Sequence, residues 1–326
     1  MEDLLLTEVA RGVHELRLPI PFEDGHVNVF LLPEDGTVDL IDCGMNAPAS
    51  LELLQAAMRE VAGESATLRK LLVTHIHPDH YGAAGVLTHD WGAQLYLHRL
   101  EIPLVHPRYL ELDALVADVH RYLLANGVPE SDAEVMQNAS RSFAKSVTTA
   151  PVAVPLDGAE TIELGQRTLR VEWTPGHSPG HVCLFDPEDR LLFAGDELLP
   201  EDTPNIGLHP QSTPNPLADF LSSLQRLAQL DPQLVLPAHG RPFDTAAARV
   251  EELREFHERR KRRILEILDG RTVSAWEVAL GIWGHRAHHW EQRLALQEAL
   301  AHLQTMAEED QLVKLVSAEA VRWRRA

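Results

Sequence analysis

Apolar positions along the chain fall into two rhythms that alternate between residues 26 and 240. HVNVFLL (26–32) and TVDLI (37–41) are short β-branched and aliphatic runs split by PEDG, which predicts a hairpin and its turn. After Pro48 and Ser50, LELLQAAMREVA has the three-and-four spacing of an amphipathic helix, and LRKLLV (68–73) predicts a buried strand. A polar loop, THIHPDH, follows that strand directly, and YGAAGVL begins the next helix. Residues 110–125 set Leu112, Leu115, Val116, Val119, Tyr122 and Leu123 on one helical face that ends at 126–129. Ser131 with Glu134 three positions on has capping-box spacing and predicts a second helix start there. Strands return as TIEL, RTLRVEW, HVCLF, RLLFAG and LVLPAHG, separated by Gly-, Pro- and Asp-rich turns. Strands alternating with helices in this way predict a layered α/β fold, with the helical segment of about residues 100–150 inserted as a lid or as packing.

Beyond residue 245 the pattern changes. Residues 246–268 form a long amphipathic stretch with Val250, Leu253, Phe256, Ile264 and Leu268 in register, followed by two more helical patterns and then QLVKLV and AVRWRR. Helices leading into a two-stranded unit predict a small winged-helix-like domain over 246–326 behind a larger layered domain over 1–245. No internal repeat or low-complexity segment is present.

The chain has 326 residues, 44% of them hydrophobic, enough for a sizeable core. No apolar run approaches the roughly 20 residues of a membrane span, and MEDLLLTEVARG is acidic where a secretory leader would be basic, so a cytoplasmic protein is expected. The two cysteines, Cys43 and Cys183, are each read as a buried free thiol. The formal charge of -20 is carried by the body: residues 251–326 hold 13 Lys/Arg and 13 Asp/Glu, which cancel. Such a field repels polyanions, so a small-molecule substrate is favoured over nucleic acid.

The density of chemistry in VTHIHPDHYG (73–82) is what bounds function. In His75-x-His77-x-Asp79-His80, imidazole nitrogens and a carboxylate suited to divalent zinc, manganese or iron come from one loop, and the offsets let it serve two neighbouring points. Completing ligands are expected where other strands end in Gly-containing turns: His177 in TPGHSPGH, Asp196 in FAGDELL and His239 in LPAHG. One consistent partition gives His75, His77 and His177 to a first metal and Asp79, His80 and His239 to a second, with Asp196 between them. His181 is excluded as a ligand and read as a supporting residue. Tyr81 is read as packed, His209 as reaching either substrate or solvent, and Thr74 as bonding a carboxylate or ending its strand. HERRKRR (257–263) is read as a solvated helix face, and the imidazoles of GHRAHHW (285, 288, 289) as packing of the small domain rather than a third metal site.

In order, LIDCG, THIHPDH, TPGHSPGH, AGD and PAHG resemble the metallo-β-lactamase superfamily over roughly residues 10–245. With its tail included, the chain looks most like the subgroup typified by β-lactamase-like protein 2, and its metal motifs also resemble glyoxalase II. The resemblance implies an αββα sandwich with the metals at one edge, the ligand partition just given, and Asp42 as a residue that orients metal-bound groups. Two divalent ions, zinc foremost, would hold a bridging hydroxide that attacks a small ester-like substrate such as a thioester or lactone, with Asp79 moving the proton. The competing readings are a metal-dependent endoribonuclease or phosphodiesterase, and a non-catalytic regulatory or binding protein.

Overall fold

The computed structural model describes residues 6–21, 25–317 and 320–326. The first five residues, part of the stretch weighed above against a secretory leader, lie outside the described residues. The chain opens with an antiparallel meander of β1 (Leu6–Ala10), β2 (Val13–Pro19), β3 (His26–Glu34) and β4 (Thr37–Ile41). It continues through α1 (Pro48–Ala62), β5 (Thr67–Leu72), α2 (Pro78–Tyr81), α3 (Ala84–His89) and β6 (Gln94–His98). Four helices follow, α4 (Ile102–Tyr109), α5 (Leu112–Ala125), α6 (Glu130–Met136) and α7 (Ala139–Ala144), before β7 (Val154–Leu156) completes a seven-stranded sheet in sequence order. The second sheet contains β8 (Thr161–Leu164), β9 (Arg167–Trp173), β10 (Val182–Asp186), β11 (Leu191–Gly195) and, after α8 (Pro216–Gln229), β12 (Leu234–Pro237), in the order β12-β11-β10-β9-β8. The tail is α9 (Ala246–Leu268), α10 (Ala275–Trp283), α11 (His289–Glu308) and a hairpin of β13 (Leu312–Val316) with β14 (Val321–Arg325).

Alternation along the strands explains the layering, because successive side chains leave opposite faces of a sheet. In β3, Phe30 and Leu32 enter the apolar layer between the sheets, while Val27, Val29 and Leu31 face α1 and α3 on the outside. In β10, Val182 and Leu184 face the inter-sheet layer, and Cys183 and Phe185 face α8 and α9. Phe30 and Phe193 meet edge to face across the sheets with centroids 5.3 Å apart. The result is the αββα sandwich, and both cysteines are buried free thiols.

The lid and the tail share a core. Leu115, Val119 and Leu123 of α5 and Ala133 and Met136 of α6 lie in one apolar cluster with Ile264, Trp276, Leu296 and Trp323 of the tail. Val273 forms an isolated bridge with Trp323, adding a strand-like contact to the terminal hairpin.

Three local expectations are corrected. Ser131 does not cap a helix: α6 starts at Glu130 behind Pro129, with Glu130 and Asp132 in the first turn, where the helix dipole favours negative charge. A full capping box forms instead at α10, where Ser274 and Glu277 exchange hydrogen bonds of 3.2 and 2.8 Å. The run 257–263 is not wholly solvated, because His257 and Lys261 share the inward face of α9 with Val250, Leu253, Ile264 and Leu268. The Lys261 ammonium is answered by Glu258 at 3.0 Å and Glu309 at 2.7 Å, and Arg260 lies over the Trp283 ring and pairs with Glu298. His285, His288 and His289 do not pack the small domain; they are exposed and belong to no metal-competent group among the described residues.

His257 packs on His302 of α11, their ring nitrogens 3.1 Å apart, and His302 Nδ1 donates to the Glu298 carbonyl at 2.8 Å. Burial, then neighbouring positive charge, lowers these imidazoles to about 2 for His257 and about 3 for His302. A depressed imidazole pKa means that the unfolded chain takes up the proton first, so stability is complete above about 6.5 and is lost as pH falls towards 3. Replacing both with leucine should make the pH dependence of urea unfolding shallower by up to about 2–3 kcal/mol per pH unit in that window. Identical slopes for the variant and the parent chain would disprove this role.

Candidate metal centre

Every chemically distinctive side chain of the motifs sits just past the carboxyl end of a strand. Asp42 follows β4, the 75–80 loop follows β5, His177 follows β9, Asp196 follows β11 and His239 follows β12. β4 and β5 run parallel, as do β11 and β12, and β9 shares the direction of β11 because both are antiparallel to β10. One rim of the sandwich therefore receives all five loops.

The structure places the seven residues proposed as ligands in two groups, His75, His77, His177 and Asp196 in one, and Asp79, His80 and His239 in the other. Within each group the ligand atoms lie within 4.8 Å of one another. In the first, His75 Nε2 and His177 Nε2 each lie 2.9 Å from His77 Nδ1, so three imidazole nitrogens converge on one point. In the second, His80 Nε2 and His239 Nε2 lie 3.5 and 3.3 Å from Asp79 Oδ2. Asp196 turns one oxygen to each group: Oδ2 is 3.4 Å from His177 Nε2, and Oδ1 is 3.3 Å from His80 Nε2 and 3.5 Å from His239 Nε2.

Supporting hydrogen bonds fix which nitrogen each ring presents. His80 Nδ1 donates to Asp42 Oδ2 at 2.9 Å, His177 Nδ1 to the Asn205 carbonyl at 3.1 Å and His239 Nδ1 to the His26 carbonyl at 3.1 Å. Each Nε2 lone pair is thereby directed into the centre. His80 Nε2 and Asp196 Oδ1 are buried without a hydrogen-bond partner. Buried polar atoms of this kind are costly unless something coordinates them, so the donor set fits divalent cations.

The electrostatics agree. Burial opposes charge on His80, yet Asp196, Asp79 and Asp42 raise its pKa well above the usual imidazole value, and the same competition brings His239 to about 9. Burial likewise works against ionised Asp196, but His80 and His239 keep it below the carboxylate range. The carboxylates thus attract positive charge to the rim.

Asp42 holds this arrangement at some backbone cost. Its φ of 60° lies in the left-handed region, and its carboxylate accepts from Thr74 N at 2.7 Å, from Thr74 Oγ1 and from His80. Thr74 therefore bonds a carboxylate, though not that of a ligand. His181 lies outside both groups: its Nε2 accepts from the Asp196 backbone N–H at 3.1 Å, which fixes the bridging residue's loop. Gly195, at φ 51°, leaves room for that ring, since a Cβ there would lie 2.5 Å from His181 Nε2. Tyr81 is packed, its hydroxyl accepting from Ala150 N at 2.9 Å.

Sequence reasoning missed Glu101. This buried carboxylate follows β6 and accepts from Ile76 N at 3.0 Å, Ser178 Oγ at 2.9 Å and Gly180 N at 2.7 Å, clamping the 75–80 loop to the loop bearing His177. Burial raises its pKa, against the pull of these donors.

The groups open onto a cavity of about 580 Å³ lined by His77, Asp79, His177, Asp196 and His239 at its base. Its walls come from the insertion, including Arg108, Leu115, Val119 and Phe143, from the 202–211 loop, including His209, and from Trp283, Trp290 and Leu294 of the tail. The insertion is thus positioned as a lid over the centre, and His209 faces the cavity.

Two layered sheets, a histidine- and aspartate-lined rim and the HxHxDH loop are the features of a metal-dependent hydrolase of one superfamily. The metallo-beta-lactamase superfamily model matches residues 23–239, and the chain belongs to that family. It is similar to the probable metallo-hydrolase YqjP of Bacillus subtilis, 26% identical over 90% of this chain and 92% of that protein. It also resembles the acyl-coenzyme A thioesterase MBLAC2 of Homo sapiens, 29% identical over 68% of this chain and 76% of that one. Among solved structures, the metallo-beta-lactamase family protein TTHA1429 from Thermus thermophilus superposes with a TM-score of 0.85 at 33% identity, covering 98% of this chain and 100% of that chain. No described helix is long and apolar enough to cross a membrane.

Proposed function

We propose that the protein is a dinuclear hydrolase of small ester-like substrates, thioesters included. The carrying observation is that Asp196 presents one carboxylate oxygen to each of two ligand groups lining one open-mouthed cavity. His75, His77 and His177 would hold one divalent ion and Asp79, His80 and His239 the other, with Asp196 shared; zinc suits this nitrogen and oxygen set, as do manganese and iron(II). Bound there, such ions supply Lewis-acid polarisation and a water acidic enough to serve as nucleophile near neutral pH. The chain's own residues do the rest. Asp42 and the carbonyls of Asn205 and His26 keep the imidazole Nε2 atoms aimed inward. Asp79, lining the cavity beside His239, would accept a proton at the carboxylate oxygen other than Oδ2, which faces His80 and His239, and return it to the leaving group. The insertion and the tail wall the cavity and reduce its contact with bulk water, which strengthens the charge interactions below them. Similarity to a named thioesterase supports the ester reading, and the cavity suits a small molecule. The tail, three helices with a terminal hairpin, is read as winged-helix-like and as part of the substrate enclosure.

The test is elemental analysis of the purified chain followed by a panel of thioesters, lactones and aryl esters, with RNA as comparison. Two bound ions per chain and turnover of an ester are expected. Metal-dependent cleavage of RNA alone, or fully loaded protein that turns over nothing, would overturn the reading.

A further inference from the structure

The loop that follows the bridging aspartate brings a different kind of group to the cavity. Within residues 202–211, the Asn205 carbonyl accepts from the ligand His177 at 3.1 Å, and four residues on His209 lines the same cavity as His177. The stretch is pinned from two sides. Leu208 N–H donates to the Gln297 carbonyl of α11 at 3.0 Å, and the Leu208 carbonyl accepts from the Tyr122 hydroxyl of α5. His209 is fastened in turn by Ser212, whose hydroxyl accepts from His209 N at 3.0 Å and whose N–H donates to the His209 carbonyl at 3.0 Å.

Hydrogen bonding settles where the ring carries its proton. His209 Nδ1 accepts from the Gln211 N–H at 3.2 Å, so the neutral imidazole has its hydrogen on Nε2. Gln211 is itself held by Arg108 of α4, whose Nε donates to its side-chain oxygen at 3.2 Å. Among the described residues none hydrogen-bonds His209 Nε2, and that nitrogen is not sealed into the protein as His80 Nε2 is. The cavity therefore receives an N–H donor with no protein acceptor. Burial, together with the charges of Arg108, Arg293 and neighbouring His177, lowers this imidazole to about 3, so it is uncharged at neutral pH. A neutral ring with Nδ1 engaged can serve only as a donor. When a molecule enters and displaces water from that N–H, it must supply an acceptor in its place or leave the donor unpaired, which weakens binding.

Resting on the hydrolase reading above, we infer that His209 is a substrate-binding residue whose Nε2–H donates to an uncharged acceptor oxygen of the bound ester. One loop then serves two purposes: Asn205 steadies a metal ligand, and His209 holds the substrate.

Two arms separate this inference from the reading it rests on. The bond from Gln211 N–H to the 209 side chain spans two residues, a span that an asparagine oxygen also bridges. His209→Asn thus keeps the loop's own hydrogen bond and withdraws the donor from the cavity, whereas His209→Gln carries an N–H close to the place of Nε2. With metal-loaded proteins of matched metal content and urea midpoint, His209→Asn is expected to lower kcat/KM for 4-nitrophenyl valerate at least about tenfold, and His209→Gln to recover part of that loss. Equal kcat/KM in the parent chain and the asparagine variant, or an equal loss in both variants, overturns the inference. The second arm needs no turnover. Nitrogen-15 NMR of the His209 ring in the parent chain is expected to show Nε2 protonated and Nδ1 bare at pH 7; a proton on Nδ1, or on both nitrogens, overturns the inference. A parent chain that hydrolyses no ester counts against the hydrolase reading, and the ring signature then supports or overturns the donor by itself.

Discussion

Asp196→Ala is expected to lower kcat/KM on the best ester by about three to four orders of magnitude, the equivalent of several kcal/mol of charge stabilisation at the reacting centre. The reason is geometric. Asp196 Oδ2 faces His177 and Oδ1 faces His80 and His239, so its loss removes a donor from both groups at once. Removing His239 alone would leave the first group whole. Elemental analysis of the variant should show a loss of bound ion in parallel with activity, and a variant retaining activity within tenfold of the parent would show that the two groups do not act as one centre.

Glu101→Ala should be the most destabilising single change near the site, by about 3–5 kcal/mol, although Glu101 is not a ligand. It leaves three buried donors, Ile76 N–H, Gly180 N–H and Ser178 O–H, without an acceptor, each costing about 1–3 kcal/mol. The two loops it joins carry His75, His77 and His177, so metal affinity should fall with stability. Urea unfolding with metal titration measures both quantities; Glu101→Gln, which keeps one acceptor oxygen, should recover part of each. Wild-type stability in the alanine variant would remove the clamp from this account.

These two residues also mark the limit of what can be read from sequence. Asp196 was legible because strand end, glycine and aspartate are contiguous in FAGDELL, and the same local grammar exposes His177 and His239. The 75–80 loop carries its chemistry in six consecutive residues. The sheets were legible too, since alternation in β3 and β10 records which face meets which layer. Glu101 sits in RLEIP, a setting with no periodicity or turn signal, and its partners lie 25 to 79 positions away. At Ser131 a motif matched in spacing but lost to Pro129, which takes the capping position and sets the helix start two residues earlier in the chain. In α9 the basic run hid two inward positions, because His257 and Lys261 look polar by type yet fall on the apolar register, with distant acids and an imidazole satisfying them.

The apolar cluster shared by α5, α6 and the tail ties selectivity to integrity. Of the segment roofing the catalytic floor, α4 and α7 rest on the outer core of the first sheet and α5 and α6 rest on the tail, so a molecule that settles α5 and α6 steadies the last eighty or so residues as well, and loosening those residues weakens its grip in return. The terminal region is thus a thermodynamic partner of the roof rather than an appendage to it.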